Sequence, residues 1–413
     1  MKHRKTVVDP ASIRILFLTH DLVGRGANYI RAASLAAALQ SLGHQVTVLA
    51  GRSVAAASAN GLGPGGAQIV TFPDPLPTRI RRSGLSPVDA MRRLSFAVRG
   101  RFDVVQIYGF RPNELLPAMA ARSRSSAKLI VDWSDRWGLG GIASSRRWAG
   151  KYSLGLVDHV AERWAVGRAD GVLAATHHLA HLAIRWGLPD AKVRVIRTGA
   201  DVERIRPLEK AAARKKIGLR VDGRVVVHSG LSTLDMPYLR GLFQAIHRRD
   251  PQAEFLLLGA DRPTVARLSR GSQFAAQVRA IGYVPQAQMG ELLACGDVML
   301  LPLSGEGYNL ARFPNRMGDF LAAGRPVVTN SSGEPGQFVQ RVGSGLAVED
   351  TPEAVAEAVH RLLEDRGLAS EMGRRGRIAA EQELAWEHLT PIAEKFYQRL
   401  LGGSGQGQTS PQE

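Results

Sequence analysis

Short apolar runs alternate with longer amphipathic stretches through the first half of the chain. The first such unit consists of the apolar run Ile13–Leu18, an Ala/Leu-rich stretch from Asn28 to Leu42 with helical spacing, and a second run at Gln45–Ala50. Gly43 is expected to end the helix, so these elements predict a βαβ unit with a right-handed crossover. Further candidate strands are Gln68–Phe72, Val104–Tyr108, Leu129–Trp133, Gly171–Ala175 and Val193–Ile196. This alternation predicts a doubly wound α/β domain.

The alternation pauses at Thr198–Asp201, which Pro207 follows, and then restarts. This pause predicts an interdomain hinge, and the pattern after it predicts a second doubly wound domain. Its five candidate strands are Val225–His228, Phe255–Leu258, Ala280–Val284, Val298–Leu301 and Pro326–Thr329. Helices are predicted at Pro352–Leu363 and from about Pro391 to Leu401. The Gly/Ala/Ser-rich stretch Val54–Gly66 is predicted to be a flexible loop.

The pattern therefore divides the chain into two Rossmann-like domains with short flanking segments. The predicted limits are a basic leader at 1–11, a first domain at 12–200, a second domain at 201–385, a closing helix at 386–401 and a disordered polar tail at 402–413. Ligands of such open sheets bind outside the carboxyl ends of the strands. We therefore expect the active site in a cleft between the two domains.

Charged residues are distributed unevenly along the chain. Residues 1–200 carry 28 basic and 12 acidic side chains, whereas the other residues carry 26 and 25. Only the first half is basic, so it is expected to face an anionic partner. The single cysteine, Cys295, excludes an intramolecular disulfide framework, and no apolar run reaches the roughly 18 residues of a spanning helix. These features predict a cytoplasmic protein that meets a membrane, if at all, at its inner face.

The most specific segment lies between the last two predicted strands and combines basic, acidic and turn residues. Pro314 is suited to the first turn of a helix and Asn315 to its cap. The free N–H groups of that turn, together with Arg312 and Arg316, would form an anion site. Asp319 would follow within the same helix, where a carboxylate can accept two sugar or ribose hydroxyls. The alternative is that Asp319 is only a favourable helix charge and that both arginines are solvated.

This segment resembles the glycosyltransferase family 4 of retaining, GT-B fold enzymes. Those enzymes contain the pattern Pro-Asn-Lys-x-x-Glu-Tyr-x-Ala-x-Gly-x-Pro-Val-Val, and this chain has Pro314-Asn315-Arg316-Met317-Gly318-Asp319-Phe320-Leu321-Ala322-Ala323-Gly324-Arg325-Pro326-Val327-Val328. The similarity extends over most of the chain. It implies a sugar donor bound as a nucleotide sugar by the second domain and an acceptor bound by the first. In this resemblance, Asp319 replaces the Glu that holds the ribose or the donor sugar.

The chain departs from the family pattern at three places. The family often has a second Glu eight residues before the first, where this chain has Ala311, and Glu306 would serve instead across a longer loop. The usual Arg and Lys after the first strand of the second domain are missing from the stretch that begins at Ser229 and Gly230. Arg312 or Arg316 would then grip the diphosphate, since a guanidinium can bind phosphate oxygens in a bidentate way. The family's His after the strand ending near Tyr108 is also missing.

Two loops of the first domain supply further candidates. Gly24, Arg25 and Gly26 follow the first strand, where glycine allows backbone N–H groups to approach a phosphate, and the resemblance places this loop opposite the donor diphosphate. The alternative there is a tight turn and nothing more. In the second loop, Asp132 or Asp135 would orient or deprotonate an acceptor hydroxyl. Acceptor contacts are also expected from Tyr108, Trp133 and Trp137. The alternative for this loop is a capping Asp and a core Trp.

A basic amphipathic segment lies between Arg79 and Arg101. Its arginines alternate with apolar residues, a pattern that anionic lipid headgroups attract. The arginines expected to contact a membrane are Arg79, Arg81, Arg82, Arg92 and Arg93. The alternative is a solvated helix in a chain whose basic residues are mostly arginine.

We therefore expect a glycosyltransferase that moves a sugar from a nucleotide-sugar donor to a glycan, lipid-linked or small-molecule hydroxyl with retention of configuration. Asp132, Asp135, Arg316 and Asp319 are the candidate catalytic residues. No Asp-x-Asp triplet is present, so neither a metal nor another cofactor is expected, and the basic segment lacks any nucleic-acid-binding module. The alternative function is a noncatalytic protein of the same fold that binds a membrane surface or a polyanion through its basic half.

Overall fold

The computed structural model describes residues 12–52, 60–145, 152–231, 236–305 and 307–402. The described residues belong to two compact units. The first takes in Met1–Leu139, Trp148–Arg197 and Trp386–Glu413, and the second takes in Gly140–Arg147 and Thr198–Ala385. The predicted leader, Glu306 and the tail beyond Gly402 lie outside the described residues.

The first unit is built on an eight-stranded sheet. Its strands are β1 (Arg14–Leu22), β2 (Gln45–Gly51), β3 (Asn60–Leu62), β4 (Gln68–Val70), β5 (Val104–Ile107), β6 (Lys128–Trp133), β7 (Gly171–Ala174) and β8 (Val193–Val195). The order is β3-β4-β2-β1-β5-β6-β7-β8, and every pair is parallel except β3 with β4. The central strands are apolar because helices cover both faces of such a sheet.

In the described ranges, six helices of the first unit precede the point where the chain passes to the second unit. They are α1 (Ala27–Ser41), α2 (Thr78–Ser83), α3 (Pro87–Arg99), α4 (Pro112–Ser125), α5 (Leu154–Arg168) and α6 (His177–Arg185). Helix α3 begins after Ser86, whose hydroxyl accepts a hydrogen bond from the N–H of Asp89. Helix α6 begins in the same way after Thr176. These caps explain why the helices start where they do.

The second unit contains a six-stranded parallel sheet. Its strands are β9 (Arg224–Ser229), β10 (Ala253–Leu258), β11 (Val278–Ile281), β12 (Val298–Leu301), β13 (Val327–Asn330) and β14 (Gly345–Val348), in the order β11-β10-β9-β12-β13-β14. Its helices are α7 (Lys210–Lys216), α8 (Met236–Arg249), α9 (Arg262–Ser269), α10 (Gln286–Ala294), α11 (Gly307–Leu310), α12 (Asn315–Ala322), α13 (Gly333–Val342), α14 (Pro352–Glu364) and α15 (Arg366–Ala379). A π-helical turn, Ala380–Leu384, follows. The predicted pair of doubly wound α/β domains is confirmed.

The last helix, α16 (Trp386–Gly402), returns to the first unit. Its Leu389, Ala393, Phe396 and Tyr397 are buried in the same apolar cluster as the central strand β1. The helix begins at Trp386, ahead of the predicted start near Pro391, so Pro391 lies inside it.

The structure differs from the predicted elements at three other places. Part of the predicted flexible loop Val54–Gly66 is ordered, since β3 pairs with β4 through Gly61 and Ile69 and Pro64–Gly66 forms a 3-10 turn. The rest of that loop, residues 53–59, lies outside the described residues. The strand expected at Ala280–Val284 is β11, which begins and ends earlier. Strand β14 was not predicted. Further 3-10 turns lie at Ile142–Ser145, Asp190–Lys192 and Gln273–Gln277.

Parallel strands end at one edge of each sheet, and this carboxyl edge is where ligands of open α/β sheets bind. In the first unit it carries the residues after β1, β5 and β6, and in the second the residues after β9, β12 and β13. None of the helices in the described ranges has the length and apolar character needed to cross a membrane.

Candidate active site

Arg316 lies at the carboxyl end of the central strand of the second unit. It stands in the first turn of α12, and its Nη1 donates to the carbonyl oxygen of Ser229 and, at 2.9 Å, to that of Gly230. Gly230 has a φ of 75°, and a Cβ there would lie 3.3 Å from the same Nη1. The guanidinium is therefore fixed directly over the turn from which the family's Arg and Lys pair is missing.

The start of α12 corrects one sequence-based expectation. Pro314 occupies the N-cap position, and Asn315 is the first helical residue rather than the cap. The reason is that Pro314 has extended backbone angles, which place the boundary one residue earlier. Arg312 precedes this boundary, and its Nη1 lies 3.3 Å from Oδ1 of Asn309 while its guanidinium lies 5.3 Å from the Tyr308 ring. Of the two candidate arginines, Arg316 is thus the one placed at the end of β9.

Asp319 shares a helix face with Arg316, because residues three apart in a helix are surface neighbours. Its carboxyl lies near Asp201, and the preceding Gly318 packs against Gly199 and Ala200. Burial and the like charge of Asp201 raise the pKa of Asp319 to about 7, although Arg204 acts in the opposite direction. The structure therefore holds a carboxyl with an unusual pKa one turn along the helix from the Arg316 guanidinium.

A polar cluster that the sequence analysis missed fixes the loop after β12. Asn330 accepts a hydrogen bond from the N–H of Leu303 at 2.8 Å and donates to Oδ1 of Asp350 at 3.2 Å. The phenol of Tyr238 donates to Asp350, whose other oxygen accepts the N–H of Gly305 at 2.5 Å. Burial, together with this carboxylate, raises the pKa of Tyr238 well above its usual range. These bonds hold the loop up to Gly305, at the carboxyl edge of the second sheet.

In the first unit, the loop of Gly24, Arg25 and Gly26 is a tight turn around a carboxylate. Asp21 accepts hydrogen bonds from the N–H groups of Asn28 (2.9 Å) and Tyr29 (3.2 Å) at the start of α1. A Cβ on Gly26, whose φ is 102°, would lie 2.2 Å from the Asp21 carboxyl. Asp21 therefore already accepts two of the helix N–H groups that could bind a phosphate, and the expected donor contact of Gly24, Arg25 and Gly26 stays a prediction.

Asp132 and Tyr108 are buried, which corrects their expected role as acceptor contacts. Asp132 accepts a hydrogen bond from Nε of Arg31 at 2.7 Å and another from Gln106 at 3.1 Å. The amide of Gln106 also donates to the phenol of Tyr108 at 2.8 Å. Burial raises the pKa of Asp132 even though Arg31 opposes it. This network fixes the interior of the unit, and its carboxylate pairs with Arg31 instead of facing a ligand.

Trp133 is also a core residue, held by a buried glutamate. Its Nε1 donates to Glu162 at 2.9 Å, and Glu162 also accepts the N–H groups of Trp137 and Gly138 at 2.8 and 2.9 Å. Burial raises the pKa of Glu162 to about 7 despite these donors. The alternative of a core tryptophan therefore holds for Trp133. Asp135 and Trp137 remain half-buried at the carboxyl edge.

His20 and Glu114 form a pair at this edge that the sequence analysis did not identify. Glu114 accepts the backbone N–H of His20 at 3.0 Å, and its other oxygen lies 3.2 Å from Nδ1 of the imidazole. The Trp137 ring packs edge-on to the imidazole with the ring centroids 6.0 Å apart. His20 lies two residues after the apolar run Ile13–Leu18, so the sequence could have shown that it stands near the end of β1. The sequence could not have shown its partner Glu114, which is 94 residues away.

The basic segment forms α2 and α3, with mixed exposure. Arg79, Arg82 and Arg92 are exposed and Arg81 is half-buried. Arg93 is buried, because its Nε pairs with Asp89 at 2.8 Å and its Nη1 donates to the carbonyl of Thr19 at 2.8 Å. The expected membrane contact of Arg93 is therefore wrong.

One group of potential metal ligands occurs in the described ranges, formed by Asp250, His360 and Glu364. Arg224 lies among them and pairs with Asp250 at 2.7 Å and with Glu364 at 2.6 Å. Its guanidinium supplies the positive charge that these carboxylates need. The group is therefore accounted for as an ion-pair cluster.

Two family models match the chain, one in each half. The model of the Glycosyl transferase 4-like domain matches residues 29–199, and that of the Glycosyl transferases group 1 matches residues 223–365. Sucrose-phosphate synthase from Thermosynechococcus elongatus has the same fold, with a TM-score of 0.76 and 17% identity over 94% of this chain and 99% of that one. The two units thus define a GT-B fold. The chain belongs to glycosyltransferase family 4, which confirms the resemblance found in the sequence.

Curated relatives are similar over part of their length. D-inositol 3-phosphate glycosyltransferase of Rhodococcus jostii is 27% identical over 288 residues, which are 62% of this chain and 61% of that protein. The GDP-mannose-dependent monoacylated alpha-(1-6)-phosphatidylinositol monomannoside mannosyltransferase of Corynebacterium glutamicum is 28% identical over 205 residues, which are 46% of this chain and 52% of that protein. The chain therefore spans less than two thirds of the length of either relative.

Proposed function

We propose that the protein transfers a glycosyl group from a nucleotide sugar to a hydroxyl of a phosphorylated acceptor, with retention of configuration and without a metal or another cofactor. The observation that carries this proposal is Arg316, whose guanidinium lies over Ser229 and Gly230 at the end of β9. The departing nucleoside diphosphate is the group on which negative charge grows during transfer. A fixed guanidinium at that point stabilises it.

The donor site is expected around Arg316 and Asp319 in the second unit. A guanidinium has five N–H donors and binds phosphate oxygens in pairs, and the carbonyl oxygens of Ser229 and Gly230 orient that of Arg316 at the end of β9. Asp319 lies one turn further along the same helix, where its carboxyl would accept ribose or sugar hydroxyls. The pKa of Asp319, which burial and Asp201 raise to about 7, should fall when hydroxyl donors stabilise its charged form.

The acceptor is expected at the carboxyl edge of the first unit, and its chemistry is proposed from charge and from relatives. Residues 1–200 carry a large excess of basic side chains. The names of the two relatives specify an inositol phosphate and a phosphatidylinositol mannoside, both of which carry a phosphate beside free hydroxyls. We infer an acceptor of that class, a phosphorylated polyol either free or attached to a lipid.

Nucleotide binding by matched variants tests the donor site. Purified protein is titrated calorimetrically with UDP, GDP and ADP, and one of them is expected to bind. Arg316→Ala should weaken that nucleotide by about 10- to 100-fold, because a charge-assisted hydrogen bond contributes about 1.5–3 kcal/mol. Arg325→Ala is the control, since Arg325 also donates to two carbonyl oxygens, those of Leu208 and Ala294, but precedes β13 at the opposite edge of the sheet.

The two variants separate a donor site from a structural role. Equal affinities in Arg316→Ala and the wild type would contradict the placement of the diphosphate. Failure of all three nucleotides to bind to folded wild-type protein would contradict the transferase proposal, and would favour a noncatalytic protein of this fold.

We also propose that α2 and α3 attach the first unit to an anionic membrane at its cytoplasmic face. Exposed arginines, Arg79, Arg82 and Arg92, alternate there with apolar side chains that are exposed as well. These are Ile80, Leu85, Met91, Leu94 and Val98, of which Met91 is 70% exposed. Exposed apolar residues beside basic ones are suited to insertion beneath charged headgroups.

Sedimentation with vesicles tests this attachment. The protein should bind vesicles that contain phosphatidylserine and not vesicles of phosphatidylcholine alone. Reversing Arg79, Arg82 and Arg92 to Glu should reduce binding by about a hundredfold or more, since each basic residue contributes about 1 kcal/mol near such a surface. Reversal of Arg262, Arg267 and Arg270, exposed arginines of the second unit, is the matched control. Equal losses of vesicle binding in the two triple variants would contradict the proposed attachment through α2 and α3, because binding would then depend on net charge alone.

A further inference from the structure

Helix α5 (Leu154–Arg168) turns its carboxylates toward the interior of the first unit. Asp158 accepts a hydrogen bond from Nη1 of Arg111 at 2.5 Å, and Glu162 accepts the three N–H groups described above. Both acidic residues are buried. Polar contacts therefore attach the first turns of this helix to the unit, where a surface helix normally uses apolar side chains.

The outer face of the same helix is apolar. Aliphatic side chains that are each between 49% and 63% exposed lie there: Leu154, Leu156, Val157 and Val160. Residues three or four apart in a helix are neighbours, so Leu156, Val157 and Val160 lie side by side. With the half-buried indole of Trp164 they form what we call the α5 strip. An apolar strip that faces outward indicates a partner that removes it from water.

The α5 strip is bordered by positive charge on both sides. Arg163 and Arg168 are exposed, and the helical rotation of about 100° per residue places them on opposite sides of Val160. The guanidinium of Arg168 lies 4.9 Å from the centre of the Trp164 ring. In the sequence, residues 136–157 add four basic side chains and no acidic one. An apolar strip between cations has the chemistry of a helix that lies in the surface of an anionic membrane.

A second copy of this chain is a poorer partner for the strip. The acidic residues of α5, Asp158 and Glu162, are buried and do not face outward. Two copies joined through their strips would bring arginines near arginines, and α5 would supply no carboxylate between them. Anionic lipids carry the negative groups that this surface lacks.

The α5 strip shares one side of the first sheet with the basic segment. Helices α4 and α5 lead from β5 to β6 and from β6 to β7, in the same direction along the sheet. Right-handed crossovers therefore place both helices on one face. Helix α3 packs against α4, and Leu116 of α4 is exposed. Exposed apolar side chains of α3, α4 and α5 therefore lie on the same side of the first unit.

We propose that the α5 strip inserts into an anionic bilayer, with α5 in the plane of the membrane. The side chains of Val157 and Val160 enter the apolar layer, and Arg163 and Arg168 contact the lipid headgroups. This inference rests on the proposed membrane attachment and extends it. Helices α2 and α3 precede β5 and α5 follows β6, so two separate parts of the chain contact the membrane.

A fluorescent label at a single cysteine tests the insertion. Cys295→Ala removes the protein's own thiol, which is buried, and Val157→Cys then carries an environment-sensitive dye in the α5 strip. Val221→Cys is the matched control, because Val221 is an exposed valine of the second unit. On vesicles that contain phosphatidylserine, the dye at position 157 should shift its emission to shorter wavelength and be quenched by spin-labelled acyl chains. The dye at position 221 should do neither.

Replacement of the apolar side chains gives a readout without a label. The double variant Val157→Asp with Val160→Asp should bind these vesicles about tenfold or more weakly, because each aliphatic side chain that enters the bilayer adds to the affinity. The double variant Val221→Asp with Ile378→Asp is the control, since it adds the same charge at exposed apolar positions of the second unit. It should keep most of the wild-type binding. Circular dichroism checks that both variants are folded.

The possible failures are distinguishable. Vesicle binding without any change in the dye at position 157 would overturn the insertion of α5 and leave the attachment through α2 and α3 in place. An emission shift that rises with protein concentration and needs no vesicles would overturn it in favour of a second copy on the strip. Failure of the wild type to bind the vesicles would overturn the proposed attachment, and the role of α5 with it.

Discussion

Individual residues in both units have ionisation states that burial shifts far from the ordinary values. Asp319 in the second unit and Glu162 in the first each have a pKa raised to about 7, chiefly because burial disfavours the charged carboxylate. Asp297 shows the opposite behaviour, since Lys210 and Arg214 outweigh its burial and lower its pKa. Asp319 and Asp297, two aspartates of the second unit, therefore contribute to stability with opposite dependence on pH.

Asp319→Asn should stabilise the nucleotide-free protein above neutral pH. A carboxyl whose pKa is raised on folding favours the folded state when it is protonated, and that contribution is lost as the pH rises from about 4 to about 7. Allowing for partial solvent exposure, we expect the variant to exceed the wild type by about 1–2 kcal/mol in free energy of unfolding at pH 8, and by less at pH 4.5. Urea unfolding at the two pH values measures this.

Asp297→Asn is the matched comparison with the opposite sign. Its pKa is lowered in the folded state, so its contribution is present above the unfolded pKa and is lost as the pH falls through the folded one. The variant should lose about 2 kcal/mol or more at pH 8, because it leaves Lys210 and Arg214 without their carboxylate. A stabilised Asp297→Asn, or an Asp319→Asn that is destabilised at pH 8, would contradict the charge assignments.

The sequence predicted the placement of a residue correctly where its neighbours in the chain determine that placement. It failed where residues far along the chain determine it. The helix that carries Arg316 and Asp319 follows from Pro314 and the apolar spacing after it, so both were placed on α12 from the sequence. The burial of Asp132 depends on Arg31, which is 101 residues away. The pairing of His20 with Glu114 spans a similar distance. No local pattern encodes contacts of this kind, because the sheet order brings the strands together.

At the scale of elements, the sixth strand of the second sheet depends on a glycine. Strand β14 pairs with β13 in parallel register, with Gly345 opposite Val327. A Cβ on Gly345 would lie 1.8 Å from the carbonyl oxygen of Val327. The strand is short and begins with glycine, which is depleted in strands, so its pattern was too weak to predict it.

Gly345→Ala should therefore destabilise the second unit. The added methyl group must push β14 away from β13, at a cost of about 2–4 kcal/mol in free energy of unfolding. Gly167→Ala in α5 is the control, because no atom lies within 4 Å of the Cβ it adds. That variant should be neutral or more stable by up to about 1 kcal/mol, as alanine is the better helix former. Urea unfolding, followed by circular dichroism, compares the stabilities of the two variants. Equal stabilities would contradict the close approach of β14 to β13 at Gly345.

The strands that were predicted correctly share one property. β1, β9 and β12 each contain a continuous apolar run, because both faces of a parallel sheet are covered. β3 lacks such a run, and its antiparallel pairing with β4 is set by backbone hydrogen bonds that any polar or glycine residue can make. The two strands that the hydrophobic pattern missed, β3 and β14, are both edge strands.

At the scale of the whole molecule, charge and fold divide the chain in the same place. The basic excess lies in residues 1–200, most of which belong to the first unit, whereas the second unit holds nearly balanced charge. The fold and family were predictable from the sequence, because two series of apolar runs and one motif specify them. The proposed acceptor and membrane contacts follow from the charge of the first unit, and the proposed donor contacts from Arg316.

Product formation tests the central claim most directly. The nucleotide that binds is supplied as its sugar derivatives, with an inositol phosphate or phosphatidylinositol as the acceptor, and products are followed by mass spectrometry and NMR. The account predicts a glycosylated acceptor of retained anomeric configuration, with one nucleoside diphosphate released per sugar transferred, in the presence of a metal chelator. Nucleotide binding without any glycosylated product from these acceptors would contradict the proposed transferase activity.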